Sequence, residues 1–488
     1  MVFVKIKLLA KDSLIYGVSG IISKLIVVLL VPVYTRIFTP EDYGVINLIN
    51  TTFLLVGIFA VCAMDNAASR WFYETDDEHD RRTSFASWFW FQLGLSVLIA
   101  IVFILFTPLA LKFLLNIESN PANNLLWILP SLGLLFNILP NMIWNWYRFQ
   151  RKAISTVVFT LSQSLTTIIL TICLVVVYPM GILGVFAALI CSGILFSAIA
   201  FFILRGWISL TYFSLNRLKE MLQFSLPLIP ASVAGWLLTG AGSYFILAYA
   251  GKAEVGLFAI GNSMASVVTL FTGSFQQAWG PFALSIMRDK DAKNVYAKVL
   301  LLFGACASVL VLMMFLFSSE LLMLFTTTQY YGAAMVAALL ALNIIITSFS
   351  YIAITGSTIV KTNKYYSVGV IAGALVTIFL HTFLIPIFGK EGAALSMITA
   401  QIFAVAFVFY HSQKLYPIPY NFFKLMQLLL PAIGLGLITF YLMQTATMAA
   451  GILIKLAVLL IYMGLSYLML KKEWLQIKDV INVERAEK

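Results

Sequence analysis

Two cations stand in the first apolar stretch, Lys24 and Arg36, and the run from Lys24 to Gly44 adds Pro32, Thr35 and the turn Phe38-Thr39-Pro40-Glu41-Asp42-Tyr43-Gly44. In a helix starting near Leu14, a rise of 1.5 Å per residue puts Lys24 about 15 Å deep, close to the midplane of a bilayer. A cation there costs roughly 3 kcal/mol and needs a water-filled cavity or an anionic partner. The chemistry on offer is attraction of an anion. Arg36 lies near the outer end of the same segment, where it could anchor at the headgroups or meet that anion.

Asp65 is an acid inside an apolar run, followed by Asn66 and by Arg70 four residues later. That spacing sets polar groups on adjoining turns. It fits a solvated helix end as well as a cavity role, in which Asp65 would couple transport to H+ or Na+. Asn262, Gln276, Gln277 and Trp279 form a polar-aromatic side of a later segment, for helix packing or for a ligand. Arg288 follows at its exit, and Lys361 and Lys364 stand in another short basic join. Lys455, a few residues inside the last apolar segment, is expected to snorkel to the headgroups.

Catalysis asks for clustered acids, bases or nucleophiles. The three histidines (His79, His381, His411) are far apart, and His381 reads as a packed or pore-lining residue. The four cysteines (Cys62, Cys173, Cys191, Cys306) have no paired spacing and read as small core residues, so no metal site and no catalytic residue is expected.

These residues must be held by membrane helices. The chain has 488 residues, 61% hydrophobic and 10% charged, a balance that would coat a soluble protein with apolar surface. Apolar runs of about twenty residues recur along the whole length. The expected fold is an all-α integral membrane protein with about fourteen transmembrane helices, from Leu14–Val33 through Tyr43–Ala68, Phe224–Ala250, Val255–Leu284 and Val299–Phe317 to Ala450–Leu470. The basic N-terminus looks like a signal peptide, but Lys24 interrupts its apolar run and no small-residue cleavage site follows. The net charge of +11 sits in short clusters between apolar runs, which argues against nucleic acid as a partner.

Only Arg36, Lys112, Lys252 and Lys390 fall on the side opposite the N-terminus, and Lys24 and Lys455 fall within helices, which leaves 25 of the 31 Lys and Arg on the N-terminal side. Both termini are therefore expected in the cytoplasm. Trp88-Phe89-Trp90 and Trp144-Asn145-Trp146-Tyr147 lie at that level and read as an aromatic belt.

Internal similarity suggests a six-helix repeat. Gly44 matches Gly256, Arg148 and Arg151 match Lys361 and Lys364, and Pro179, Gly181, Gly184 and Ala187-Ala188-Leu189 match Pro386, Gly389, Gly392 and Ala393-Ala394-Leu395. The expected organisation is an N-lobe over residues 1–210, a C-lobe over 211–415, and a C-terminal helix pair with a cytoplasmic tail over 416–488. Between the lobes, residues 215–222 mix charged and apolar positions as an interfacial helix does. Pro227 and Pro230 then predict a kink.

Pro32-x-x-Thr35-Arg36-Ile37-Phe38-Thr39-Pro40-Glu41-Asp42-Tyr43-Gly44, Phe224-Ser225-Leu226-Pro227-Leu228-Ile229-Pro230, Glu254-Val255-Gly256-Leu257 and Gln277-Ala278-Trp279-Gly280-Pro281-Phe282 resemble the bacterial polysaccharide flippases. These are the Wzx-like branch of the MATE/MOP superfamily, which also holds multidrug exporters and the lipid II flippase. The resemblance implies two lobes that rock about a cationic cavity taking the pyrophosphate and sugars of a polyprenyl-linked oligosaccharide. On that analogy Lys24 and Arg36 attract pyrophosphate and Gln276 and Gln277 bond sugar hydroxyls. Arg70, Arg288 and Lys361 complete the substrate-binding candidates. Many relatives have an Asp-Arg pair where this chain reads Gly242-Ser243-Tyr244, so the C-lobe lacks that cation.

The expected function is a flippase for an O-antigen or capsule repeat unit in the bacterial cytoplasmic membrane. It would need no cofactor beyond H+ or Na+ coupling, and its partners would be lipid-linked oligosaccharide, membrane lipid and other polysaccharide assembly proteins. An ion-coupled antiporter for small cations and a membrane-embedded enzyme of the same pathway are the alternatives. A net-positive cavity disfavours the antiporter, because a drug-cation site would want acids.

Overall fold

The computed structural model describes residues 30–362, 364–443 and 448–486, with side chains for 30–362, 364–443 and 450–471. Among them all regular structure is helical, as lipid requires of a chain that must satisfy its own backbone polar groups. Eleven described helices are long and apolar enough to cross a membrane, and Lys252–Ala265 with Val268–Ser285 add one more when taken together across a 50° bend. The protein is a multi-pass membrane protein. The longest helix, Lys364–Leu415, is two helices joined at Gly389 and covers the two segments that hydropathy predicts at Tyr366–Ile385 and Gly392–Tyr410. Most of the first expected segment, Lys24 included, lies outside the described residues, so the count of fourteen stands as approximate.

Two compact units account for the fold: Met1–Ala259 with Ala374–Ala393, and Ile260–Gly373 with Ala394–Lys488. The first contains α1 (Pro40–Val61), α2 (Met64–Glu74), α3 (Glu78–Leu105), α4 (Pro121–Phe136), α5 (Ile138–Phe149), α6 (Ala153–Ile172), α7 (Ile182–Leu204), α8 (Leu215–Ser225), α9 (Ile229–Thr239) and α10 (Gly242–Ala250). The turn before α1 shows how a motif becomes structure. Thr39 is the N-cap: its Oγ1 accepts from the Asp42 amide at 3.2 Å, and the Asp42 carboxylate accepts from the Thr39 amide at 3.0 Å. This capping box, with Pro40 in the first turn, satisfies donors that a helix start leaves orphaned. Gly44 completes the motif, because a Cβ there would stand 2.1 Å from the Lys252 carbonyl oxygen.

α1 and α2 are separated by Cys62 and Ala63, both in the left-handed region with φ near 50°. The expected second helix therefore continues beyond the apolar run but breaks there. Residues 215–222 fall in α8, whose Leu218 and Met221 are buried; Pro227 lies in a 3-10 turn, Leu226–Leu228, that joins it to α9, and Pro230 lies in the first turn of α9.

The aromatic belt needs correction. Trp88, Phe89 and Trp146 are buried with Phe72, Phe85 and Phe149 in one cluster of the first unit. Only the outer members stay accessible, such as Trp144, which carries the Arg148 guanidinium 4.3 Å from its ring centre. Hydropathy cannot tell a lipid-facing ring from one wedged between helices. The cysteines divide likewise: all are free, Cys62 is buried, and Cys191 and Cys306 are exposed.

In the second unit, α11 (Ala292–Phe325) and α12 (Phe422–Leu442) pack with α13 (Met448–Ala486) around Leu312, Leu316, Ala432, Leu459 and Tyr462. Here Lys455 corrects the snorkelling expectation. It is 6% exposed, and its Nζ lies 2.6 Å from Glu320 Oε1. α11 runs eight residues past Phe317, where the expected segment ended, and so brings Glu320 inside a membrane helix. Snorkelling is the outcome for an isolated lysine; a carboxylate within reach removes the need for it.

Candidate functional site

The sequence-predicted site residues divide between the two units. In the first, Arg36 is exposed and makes no ion pair among the described residues. Arg70 is exposed too, but its guanidinium lies 4.9 Å from the Phe224 ring centre and 5.5 Å from that of Trp71, so part of its capacity goes to cation–π contact. Asp65 is half-buried in the first turn of α2, just past the left-handed break. A carboxylate at that position is favoured by the unpaired amides and the dipole of a helix start.

In the second unit, Gln276, Gln277, Arg288 and Lys361 are all exposed. Trp279, between the amides and the arginine, is buried, and its indole Nε1 donates to the Tyr351 carbonyl and the Thr355 hydroxyl, each at 3.1 Å. The aromatic thus fixes the helix, and the amides are not consumed by packing. Lys361 holds a left-handed backbone, φ 61°, at the end of a helix.

The positions Gly242-Ser243-Tyr244, where the resemblance led to the expectation of a charged pair, have a definite task here. The Ser243 hydroxyl donates to Asn47 Oδ1 at 3.0 Å, Tyr244 shares a hydrogen bond with Thr52, and Trp236 Nε1 donates to the Thr51 carbonyl at 3.0 Å. Neutral side chains on α9 and α10 therefore tie both helices to one face of α1.

Sequence reasoning aimed at charges and missed a neutral site. A cavity of about 500 Å³ opens inside the first unit between α1, α3, α4, α5 and α7. Its polar lining comes from Asn50, Gln92, Ser96, Asn137 and Asn141, with no charged side chain among the described residues that line it. Local structure explains the hollow. α4 ends and α5 begins at Asn137, and Pro140, in the first turn of α5, has no amide to donate back to Phe136. The freed Phe136 carbonyl accepts from Ser197 on α7 instead. Gly57 and Gly133 add no side chain to the walls.

The cavity has a floor and a mouth. Gln92 and Ser96, one turn apart on α3, are 3% and 1% exposed, and Gln92 Oε1 and Ser96 Oγ have no hydrogen-bond partner. Asn50 and Asn137 are exposed, and Asn137 Nδ2 donates to the Gly133 carbonyl at 2.8 Å. Asn141 accepts from Asn145 at 2.9 Å. Ser84 and Trp88 precede Gln92 and Ser96 on α3 at intervals of four, are buried, and also carry unpartnered polar atoms. An orphaned buried acceptor costs about 1–3 kcal/mol unless water or a ligand meets it. The fourfold spacing along α3 was visible in the sequence; its convergence with amides from other helices was not.

Comparisons agree with this architecture. The structure is similar to a lipid II flippase, MurJ, in an inward closed conformation, with a TM-score of 0.69 and 17% identity over 93% of this chain and 99% of the other. It is also similar to an inward-facing multidrug resistance MATE transporter of the MOP superfamily, with a TM-score of 0.65 and 15% identity over 80% of this chain and 94% of the other. In sequence, a Haemophilus influenzae protein of the Lsg locus is 22% identical over 285 residues, covering 57% of this chain and 67% of the relative. The family model described as polysaccharide biosynthesis protein matches residues 9–287, more than half of the chain. The chain therefore belongs to the polysaccharide biosynthesis protein family.

Proposed function

We propose that the protein is a flippase that moves a polyprenyl-pyrophosphate-linked oligosaccharide from the inner to the outer leaflet of the bacterial cytoplasmic membrane, with both termini in the cytoplasm. The observation that carries the reading is membership of a polysaccharide-biosynthesis family in a chain built almost wholly of membrane helices. The fold it shares with a lipid II flippase supports the same reading.

Residues 1–210 and 211–415 would act as two lobes that alternate access, with 416–488 as an appended pair and tail. Lys24, Arg36, Arg70, Arg288 and Lys361 would draw the pyrophosphate electrostatically. Gln276 and Gln277, exposed on a largely apolar helix, would bond sugar hydroxyls, since an amide left out of helix packing needs water or a polar ligand. Asp65 is the proposed coupling group for H+ or Na+. The partners would be membrane lipid and other polysaccharide assembly proteins, and the chain itself would catalyse no bond change.

Reconstitution tests this directly. In vesicles holding a lipid-linked oligosaccharide in one leaflet, the purified protein is expected to deliver it to the other, detected by a membrane-impermeant sugar-modifying enzyme. Transfer no faster than in protein-free vesicles overturns the reading. Efflux of a small organic cation from the same vesicles would instead establish the antiporter alternative.

A further inference from the structure

The second unit carries a groove that the flippase reading leaves unused. It opens between Ala334–Ala353, the part of Lys364–Leu415 beyond Gly389, and α12, with a volume of about 700 Å³. The lining positions recur at intervals of three and four, from Ile402 to Lys414 on one wall and from Phe422 to Ile433 on α12, so each wall is a single helix face. Leu342, Phe409 and Leu425 are buried at the bottom, whereas Ile402, Tyr410, Met426 and Leu430 are more than half exposed along the rims. The walls meet where the Phe409 and Phe422 rings touch, with centres 5.2 Å apart.

That end of the groove is also its charged end. Lys414 is part of the lining and exposed, and its Nζ lies 4.3 Å from the centre of the Tyr410 ring, which holds the ammonium at the mouth. A second ammonium, Lys293 Nζ, lies 4.6 Å from the ring centre of Tyr416, two residues further on. The first turn of α12 begins at Phe422 and adds the partial positive charge of a helix start.

Length and charge decide what fills such a groove in a bilayer. Hydrocarbon gains little by leaving the surrounding lipid for a slot equally apolar, so apolar area alone selects nothing. Twelve residues separate Ile402 from Lys414, about 18 Å of helix, close to one leaflet of a hydrocarbon core roughly 30 Å thick. That is the reach of one acyl chain whose headgroup sits at Lys414. A long polyprenyl chain would outrun the groove. A lysine and a tyrosine at the mouth fit the headgroup level, and the lysine favours an anionic headgroup over a zwitterionic one.

We propose that the groove is a binding site for one anionic glycerophospholipid, with an acyl chain lying between Ile402 and Lys414 and the phosphate at Lys414 Nζ. Neither Arg36, Arg70, Arg288 nor Lys361 lines it, so the inference goes beyond the flippase reading and does not depend on it. The bound lipid fills the space between α12 and the helix that carries Lys414, along the stretch where their side chains part.

The test uses the full chain in detergent micelles, native mass spectrometry to count retained lipids, and three probes: dioleoyl phosphatidylglycerol, dioleoyl phosphatidylcholine and undecaprenyl phosphate. The wild type is expected to bind its first phosphatidylglycerol about fivefold more tightly than phosphatidylcholine. Lys414→Gln keeps the slot and is expected to bring phosphatidylglycerol down to the affinity of phosphatidylcholine. Lys364→Gln removes an exposed lysine of the same unit outside the groove and is expected to keep the preference. Ala406→Trp fills the groove from an exposed position on its wall. It is expected to remove one phosphatidylglycerol from the count, with the melting temperature and the binding of undecaprenyl phosphate unchanged.

Equal affinity of the wild type for the two phospholipids overturns the proposal. So does a preference that survives Lys414→Gln, one lost equally in Lys364→Gln, or a lipid count that Ala406→Trp leaves unchanged. Loss of undecaprenyl phosphate in Ala406→Trp would assign the groove to a polyprenyl tail and overturn it as well.

Discussion

Arg151 and Lys361 close two different helices with the same turn. Each has a left-handed backbone, with φ of 56° and 61°. The Arg151 amide donates to the Arg148 carbonyl and Lys152 to Tyr147, and the Lys361 amide donates to the Thr358 carbonyl and Thr362 to Ser357. Both are Schellman caps, with a basic residue where glycine is usual. The same cap thus recurs at two basic residues, one in each unit.

The shared cap separates stability from function. A non-glycine residue in the left-handed region costs about 1 kcal/mol relative to glycine. Arg151→Gly and Lys361→Gly should both raise the melting temperature of the purified protein. If Lys361 also draws the pyrophosphate, only Lys361→Gly should slow oligosaccharide transfer in vesicles; equal transfer rates in the two variants would remove Lys361 from the site.

The Lys455–Glu320 pair ties α13 to α11 from inside the helix bundle. Removing one partner strands the other charge in a low-dielectric setting, at a cost of about 3 kcal/mol. Lys455→Met should therefore lower thermal stability strongly, and Lys455→Met with Glu320→Leu should recover most of the loss. Full stability in the single variant would mean that the pair contributes nothing.

Gly181 and Gly389 both precede close helix packing and hold nearly the same conformation, φ 59°, ψ −142° and φ 56°, ψ −131°. That region is almost closed to other residues, so alanine should cost about 1–3 kcal/mol at either site. At Gly181, where a Cβ would touch nothing within 4 Å, the loss is purely conformational. Melting of Gly181→Ala measures it, and no change in melting would refute the strain.

For the proposed cation site, Lys24→Ala should abolish delivery of surface polysaccharide at normal protein levels, while Lys24→Arg should retain part of it. Unchanged surface glycan in Lys24→Ala would remove this lysine from the mechanism. Asp65→Asn should eliminate the ion-gradient dependence of transfer in vesicles, and a dependence left intact would rule out Asp65 as the coupling group.

The sequence by itself determined that the chain lives in lipid, because apolar runs of bilayer length leave no other solvent. Helix starts were placed less closely: the apolar run begins the expected second helix at Tyr43, whereas Thr39, Pro40 and Asp42 cap α1 and start it at Pro40. Pro227 and Pro230 marked a local change in the helix, a 3-10 turn over Leu226–Leu228.

Tertiary structure alone decided how side chains far apart in sequence are used. Lys455 needed Glu320, 135 positions away, to become a buried ion pair. Trp88 and Trp146 needed facing helices to become core. Gln92 is an ordinary polar residue in an apolar segment until α1, α4, α5 and α7 bring Asn50, Asn137 and Asn141 to the same hollow. Helical periodicity fixes which face a residue occupies, but what that face meets is set by packing between helices, and no local pattern encodes it.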